Sequence, residues 1–144
     1  MPPAQEFKLW LMVYFGDPDK HWTRHIALFF QAPEGKPHIT YHVKKVNQAW
    51  KLEMLDEYDV MKSINIVGKV SLGNISITPM QLKQIMESVK IVNNVGDNLE
   101  DDDSSCQNWT GRALQALEAA GYITAVEVTR GIDGMVDIVH EAAA

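Results

Sequence analysis

The residue most suited to chemistry in this sequence is a cysteine, because its thiolate can act as a nucleophile. The chain has a single cysteine, Cys106, among 144 residues. It lies in the sequence SSCQ at residues 104–107, which has the pattern of a capping box with Ser104 as the N-cap and Gln107 reaching back to the Ser104 amide. Cys106 would then occupy the first turn of a helix, where backbone amides and the helix dipole favour a thiolate. We therefore expect Cys106 to be the best candidate for a nucleophile.

A nucleophilic thiol in a hydrolase or acyltransferase also needs a base. Imidazole suits this role, because its pKa of about 6.5 allows proton exchange near neutrality. Among the five histidines, His25 begins an apolar run and His42 lies in the next one, so the two rings could approach each other across an antiparallel pair. His38 opens the same segment as His42, while His21 lies in a turn-like region and His140 lies near the C terminus. We expect His25 and His42 to be the partners of the thiol.

Four segments have the composition of β-strands and would position these histidines. They are residues 8–15, 24–31, 38–43 and 59–70. Turn-forming residues at 33–37 predict a hairpin between the second and third segments. In the third segment, HITYHV, alternation places His38, Thr40 and His42 on one face, opposite three apolar residues. Residues 44–57 have no clear period and are interpreted as a connection with room for a short strand.

Two helices are predicted from caps and apolar spacing. Threonine and proline at residues 78–79 indicate a helix start, and the apolar residues that follow are spaced to form one face, namely Met80, Leu82, Ile85, Met86 and Val89. The helix that carries Cys106 is expected to stop at Gly121. Residues 122–128 are interpreted as a strand or an extended segment, and residues 131–144 as a glycine-interrupted, helix-prone tail.

The whole chain is predicted to be a single α+β domain over residues 1–144, with its core at about residues 7–130. An antiparallel sheet would pack against the helix that carries the cysteine. The net charge of −6 argues against nucleic-acid binding, because no basic surface is available to neutralise phosphates. The absence of a basic leader and of an apolar run of roughly 20 residues predicts a cytoplasmic protein that is not integral to a membrane.

No cofactor is expected. A single thiol excludes an internal disulfide and the multi-cysteine zinc patterns. The acidic stretch at residues 93–103 lacks the ligand spacing of a calcium loop and is expected to be solvated. A zinc site made of His25, His42 and Cys106 would use the same three residues as a catalytic triad, and the sequence leaves that alternative and the oligomeric state open.

Three motifs in this order carry a family resemblance, namely TRHIALFF, ITYHV and SCQNWTGRALQAL. Two histidine strands followed by a cysteine helix resemble the circularly permuted papain-like superfamily. That superfamily includes lecithin retinol acyltransferase-like proteins, small phospholipase/acyltransferases, PPPDE-type isopeptidases and relatives of bacterial NlpC-type amidases. The resemblance covers roughly residues 20–122 and implies a permuted papain-like fold. In more detail, the motifs are similar to those of uncharacterised fungal proteins.

The resemblance also implies roles for individual residues. Cys106 would be the nucleophile, His25 the general base, and His42 the third member, which orients His25. The residues after the cysteine match the family pattern at Gln107, Asn108 and Trp109, where helix amides could contribute to an oxyanion site.

The predicted function is that of a cysteine-dependent hydrolase or acyl-transfer enzyme acting on an amide, ester or thioester. An accessory enzyme of fungal secondary metabolism and an isopeptidase both fit this description. The alternative is a non-catalytic binding or scaffold domain that retains the fold. Two departures from the family pattern favour it, because Ser105 replaces a frequent asparagine and the acidic run at residues 101–103 would oppose thiolate formation. Cys106 could also be a buried small hydrophobe, on one helix face with Thr110.

Overall fold

The structure is a computed structural model that describes residues 4–16, 24–46, 49–56, 66–91 and 105–141. Within these ranges the description omits five side chains, those of Lys45, Val46, Asp56, Ser105 and Cys106. The described part consists of five strands and three helices. They are β1 (Gln5–Tyr14), β2 (His25–Gln31), β3 (Ile39–Val46), β4 (Ala49–Asp56), β5 (Ile66–Ile77), α1 (Pro79–Ser88), α2 (Ser105–Ala119) and α3 (Ala125–Val139).

The strands form one antiparallel sheet with the order β4-β3-β2-β1-β5. This confirms the predicted α+β class with an antiparallel sheet. The predicted hairpin of β2 and β3 is also present, closed by a turn in which the Lys36 amide donates to the Pro33 carbonyl at 3.0 Å. Successive side chains of each strand point to opposite faces of the sheet, so odd and even positions along a strand lie in different environments.

One sheet face is covered by all three described helices, and we call it the helix-covered face. It presents Leu11 of β1, Leu28 of β2 and Tyr41 of β3, which share one continuous buried core with residues of the three helices. The core residues that the helices supply are Leu82, Met86, Trp109, Ala113, Leu114, Leu117, Val128, Met135 and Val139. Burial of this apolar surface is the main stabilising contribution to such a fold.

The other sheet face carries the histidines, and we call it the histidine face. Cross-strand pairs place Tyr14 beside His25 and Trp10 beside Phe29. A small second cluster lies here, in which the fully buried Met12 and Phe29 pack against their neighbours on the same face. The sheet therefore separates the histidines from the layer of helices.

The helix ends agree with the caps that the sequence predicts. Thr78 and Gln81 form a reciprocal capping box at the start of α1. At the end of α2, Gly121 adopts a positive φ of 86°, its amide donates to the Glu118 carbonyl, and the Tyr122 amide donates to the Leu117 carbonyl. This pair of bonds is a Schellman motif, for which glycine is favoured because it lacks a Cβ.

The prediction for the C-terminal part of the chain was wrong. Residues 122–128 were expected to be extended, and residues 131–144 to form a helix-prone tail outside the core. Instead Thr124 and Glu127 form a second capping box that starts α3, and the helix continues through Gly131 to Val139 in the core. Glycine lowers intrinsic helix propensity, but tertiary packing of an amphipathic face outweighs that cost here.

Two strand predictions also needed correction. Residues 49–56, interpreted as part of a connection, form the full strand β4, and Trp50 on it is buried. The strand predicted at residues 59–70 lies later, as β5, and residues 57–65 fall outside the description. Between the pairs of Lys8 and Trp10, β5 has a register shift that includes Gly73 with a φ of 85°.

Helices α2 and α3 run antiparallel. Leu114 in the middle of α2 lies against Gly131 of α3, and Gln107 near the start of α2 lines the same groove as Val136 near the end of α3. The end of α3 is held by Arg24, whose Nη1 donates to the Ile138 carbonyl at 2.7 Å. The start of α2 therefore lies toward the end of the sheet at which β2 begins.

No helix within the described ranges has the length and hydropathy needed to cross a bilayer.

Candidate active site

The two histidines singled out by the sequence are in direct contact. His25 is the first residue of β2 and His42 lies within β3. The His25 Nε2 and the His42 Nδ1 atoms lie 2.6 Å apart, a hydrogen-bond distance, and the ring planes are inclined by 82°. The antiparallel pairing of β2 with β3, across which the two rings were expected to approach each other, therefore brings one imidazole onto the other.

A glutamate extends the histidine pair into a chain. Glu53 of β4 is directly opposite His42 in the strand register. The His42 Nε2 atom lies 2.8 Å from the Glu53 Oε1 atom, so a ring N–H at this position donates to the carboxylate. The second carboxylate oxygen, Oε2, lies 2.5 Å from the Lys44 ammonium. His25, His42, Glu53 and Lys44 are thus joined by consecutive hydrogen bonds, and we call them the histidine chain.

Sequence reasoning did not find Glu53 or Lys44, although a signal was present. In AWKLEMLD, residues 49–56, Trp50 and Leu52 alternate with Lys51 and Glu53, which is the pattern of a half-buried strand. Only two residues separate this segment from β3, so a hairpin partner was available at the correct spacing. Recognising that hairpin would have placed the carboxylate opposite His42.

Electrostatics make the histidine chain asymmetric. Burial first, and then repulsion from a protonated His42, lower the pKa of His25 to about 4, while Glu53 opposes this shift. Hydrogen bonds from Lys44 and then from His42 lower the pKa of the Glu53 carboxyl, with burial opposing them. At neutral pH a neutral imidazole therefore lies at one end of the chain and an ionised carboxylate at the other.

Cys106 is the second residue of α2. Its side chain and the predicted cap Ser104 lie outside the described part, as does the acidic run at residues 101–103. Of the three residues that follow, Gln107 is half-buried and Asn108 exposed. The Trp109 indole is 1% exposed and belongs to the core.

The start of α2 and the His25 ring lie at the same end of the sheet but on opposite sides of it. Residues of α2 pack on the helix-covered face, whereas His25 projects from the histidine face, as its pairing with Tyr14 shows. A groove of about 320 Å³ lies between α2 and α3, with Gln107, Asn108, Arg112 and Val136 in its walls.

The remaining described histidines have other surroundings. His38 accepts a hydrogen bond from the Ala32 amide at its Nδ1 atom, 2.9 Å away, and so closes the turn between β2 and β3. His140 is exposed at the end of α3. Within the residues that the structure describes, no three side chains of the ligand types are grouped to hold a metal ion.

Comparison with known proteins places the chain in a family. A model of a family of unknown function, DUF6540, matches residues 9–124, a range that contains the histidine chain and Cys106. A search among curated proteins found no match. A search among solved structures also found none. Because the family model covers most of the chain, the protein belongs to the DUF6540 family.

Proposed function

We propose that the protein is a cysteine-dependent hydrolase or acyl-transfer enzyme with a permuted papain-like arrangement. Cys106 is the nucleophile, His25 the general base, and His42 the residue that orients His25. The histidine chain is the observation that carries this proposal. A hydrogen-bonded imidazole with a second polar group fixing its orientation is the arrangement that activates a nucleophile in acyl transfer.

The chemistry requires one proton to move twice. The His25 ring accepts the proton of the Cys106 thiol at Nδ1, the nitrogen not engaged with His42, while sulfur attacks the substrate carbonyl. When the tetrahedral adduct collapses, the carbon–heteroatom bond breaks and His25 returns the proton to the departing amine, alcohol or thiol. An acyl thioester remains on Cys106. Water or another acceptor, deprotonated by the same ring, then releases the acyl group.

The electrostatics of the histidine chain support a base that is neutral in the resting protein. The lowered pKa of His25 keeps its ring unprotonated at neutral pH, so it is ready to accept a proton. A base with a low pKa has less driving force for proton transfer. The ionised Glu53 reduces this deficit, because its negative charge raises the pKa of His25 and so stabilises the imidazolium as it forms.

The location of Cys106 supports its part in the proposal. It lies in the first turn of α2, at the end of the sheet where β2 begins, and the groove between α2 and α3 offers room for an acyl or peptidyl group beside it. The amides at the start of a helix favour a thiolate and can donate to an oxyanion. Gln107 and Asn108 are the residues whose positions fit the second role.

Trapping of the acyl-enzyme tests the proposal. The chain is incubated with an aryl ester, an alkyl thioester and an aryl amide of acetyl and octanoyl groups, and intact-mass spectrometry follows the adduct. We expect a mass gain of one acyl group that is absent in Cys106→Ala. In His25→Asn the rate should fall at least about 100-fold, which is the usual contribution of a general base. Absence of an adduct with every probe, or equal rates in His25→Asn and the unmodified chain, would overturn the proposal.

A second candidate function is a non-catalytic binding domain. The observation that favours it is the sheet itself, because α2 packs on one face and His25 projects from the other. In this case the histidine chain stabilises the hairpin of β3 and β4 and its connection to β2. The trapping experiment distinguishes the two functions, since a binding domain gives no adduct that depends on both Cys106 and His25.

A further inference from the structure

We infer that Glu53, held by Lys44, is a positioning residue that sets the tautomers of both histidines, so that Nδ1 of His25 is the atom that accepts a proton. The inference deepens the proposed function and rests on it for the catalytic consequence. The tautomers themselves are a property of the resting protein. They follow from the hydrogen bonds along the histidine chain.

Glu53 and Lys44 form the charged end of the histidine chain. The Glu53 carboxylate has a lysine ammonium 2.5 Å from its Oε2 atom, an arrangement that favours the ionised form. An ionised carboxylate can only accept hydrogen bonds. The His42 Nε2 atom, 2.8 Å from Oε1, must therefore carry a hydrogen.

The hydrogen on Nε2 determines the rest of the chain. A neutral imidazole has one N–H and one lone pair, so the Nδ1 atom of His42 is an acceptor. Its partner at 2.6 Å is the Nε2 atom of His25, which must then be the donor. The lone pair of the neutral His25 ring is left on Nδ1. Glu53 thus selects the reactive nitrogen of a ring that it does not touch.

The same chain has a consequence for the protonated state. When Nδ1 of His25 takes a proton, the ring becomes an imidazolium, and its Nε2 proton can pass to Nδ1 of His42. The positive charge then lies on His42, 2.8 Å from the carboxylate of Glu53. The transfer forms one N–H bond and breaks another, so it needs no further reactant. Glu53 therefore stabilises the charge that general-base catalysis creates.

Two further titratable groups, from strands β1 and β4, lie beside the histidine chain. Among the described residues, Tyr14 of β1 lies beside His25 with ring centroids 6.0 Å apart, and Lys51 of β4 is directly opposite Lys44. Two lysines in directly opposed positions repel each other. The Glu53 carboxylate beside Lys44 reduces this repulsion. Lys44 therefore favours an ionised Glu53 from the neighbouring strand β3.

The first readout is the tautomer of each ring, measured by ¹⁵N NMR at pH 7.5. In the unmodified chain we expect both neutral rings to carry hydrogen on Nε2. In Glu53→Ala, His42 loses its acceptor, and we expect the Nδ1–H tautomer to appear in both rings. Glu53→Gln keeps an acceptor oxygen without the charge and should give an intermediate result. Glu87→Ala removes an exposed carboxylate of α1 and should leave both tautomers unchanged.

The second readout is the acylation rate of Cys106 with the thioester probe. We expect Glu53→Ala to slow acylation about 10- to 100-fold, less than the loss of the base itself, and Glu53→Gln to recover part of the rate. Unchanged tautomers in Glu53→Ala overturn the inference. If the unmodified chain is not acylated, the proposed function fails, but the tautomers still decide the role of Glu53. A shift in tautomers without a change in acylation rate contradicts the catalytic part alone.

Discussion

At the scale of single residues, the histidine chain joins two imidazole rings, a carboxylate and an ammonium group through consecutive hydrogen bonds. A half-buried neutral imidazole contacts a second ring, which in turn contacts an ionised carboxylate. The alternation of HITYHV was sufficient to predict that His42 shares a face with His38 and Thr40. The partners of His42 could not be predicted without the register of β4, because a carboxylate 11 residues away becomes a neighbour only when the hairpin forms.

The pKa of His25 predicts a pH dependence of stability. Its value in the folded chain is about 4, whereas an unfolded histidine titrates near 6.5. As the pH falls below 6.5, the unfolded state binds a proton that the folded state does not, so stability is lost with falling pH. Between pH 7.5 and pH 5 this group should lower the free energy of unfolding by about 2 kcal/mol.

Urea unfolding of the unmodified chain and of His25→Gln at both pH values measures this effect. The variant lacks the titrating ring, so its free energy of unfolding should change by about 2 kcal/mol less between the two pH values. Each protein is compared with itself, which removes any general loss of stability caused by the substitution. Because neither pH value is below 5, the measurement also avoids the range in which the Glu53 carboxylate takes up a proton. The same pH dependence in both proteins would contradict the lowered pKa.

At the scale of elements, local signals predicted some parts well and tertiary packing decided the others. The threonine cap of α1 and the glycine stop of α2 are local, and both were predicted. Helix α3 was predicted only as a helix-prone tail from residue 131, because Gly131 and Gly134 reduce helix propensity. The structure explains the glycines through contact, since a Cβ at Gly131 would lie 2.9 Å from Leu114, and one at Gly134 would lie 2.7 Å from Val70.

The glycines of the two long helices should respond oppositely to alanine. At Gly111 of α2 an added Cβ would meet Ile132 at an ordinary 4.0 Å, so Gly111→Ala should raise the free energy of unfolding by up to about 1 kcal/mol through helix propensity. At Gly134 the added Cβ would collide with Val70 of β5, so Gly134→Ala should lower it by about 1–3 kcal/mol.

Thermal and urea unfolding of the two alanine variants test the packing of α3 on the sheet. The substitutions are chemically identical and both lie in helices, so Gly111→Ala serves as the matched control for Gly134→Ala. If both alanine variants were more stable than the unmodified chain, α3 would not approach β5 closely enough to require glycine at residue 134.

At the scale of the whole molecule, the sheet divides the protein into a layer of helices and a histidine face. The antiparallel α+β class and the two strands that carry His25 and His42 were evident from composition and alternation. The order of the strands and the antiparallel contact of α2 with α3 were not, because they depend on which apolar faces meet. This organisation brings the start of α2 and the His25 ring to one end of the sheet.

The central claim is that Cys106 and His25 act together, and the distance between their reactive atoms tests it most directly. A crystal structure of the chain measures the separation of the Cys106 sulfur and the His25 Nδ1 atom. We predict a separation within about 4 Å in a solvent-accessible cleft at the end of the sheet, which is the range for a nucleophile and its base. A sulfur enclosed among the apolar side chains of the helix-covered face, with the sheet between it and His25, would contradict the account.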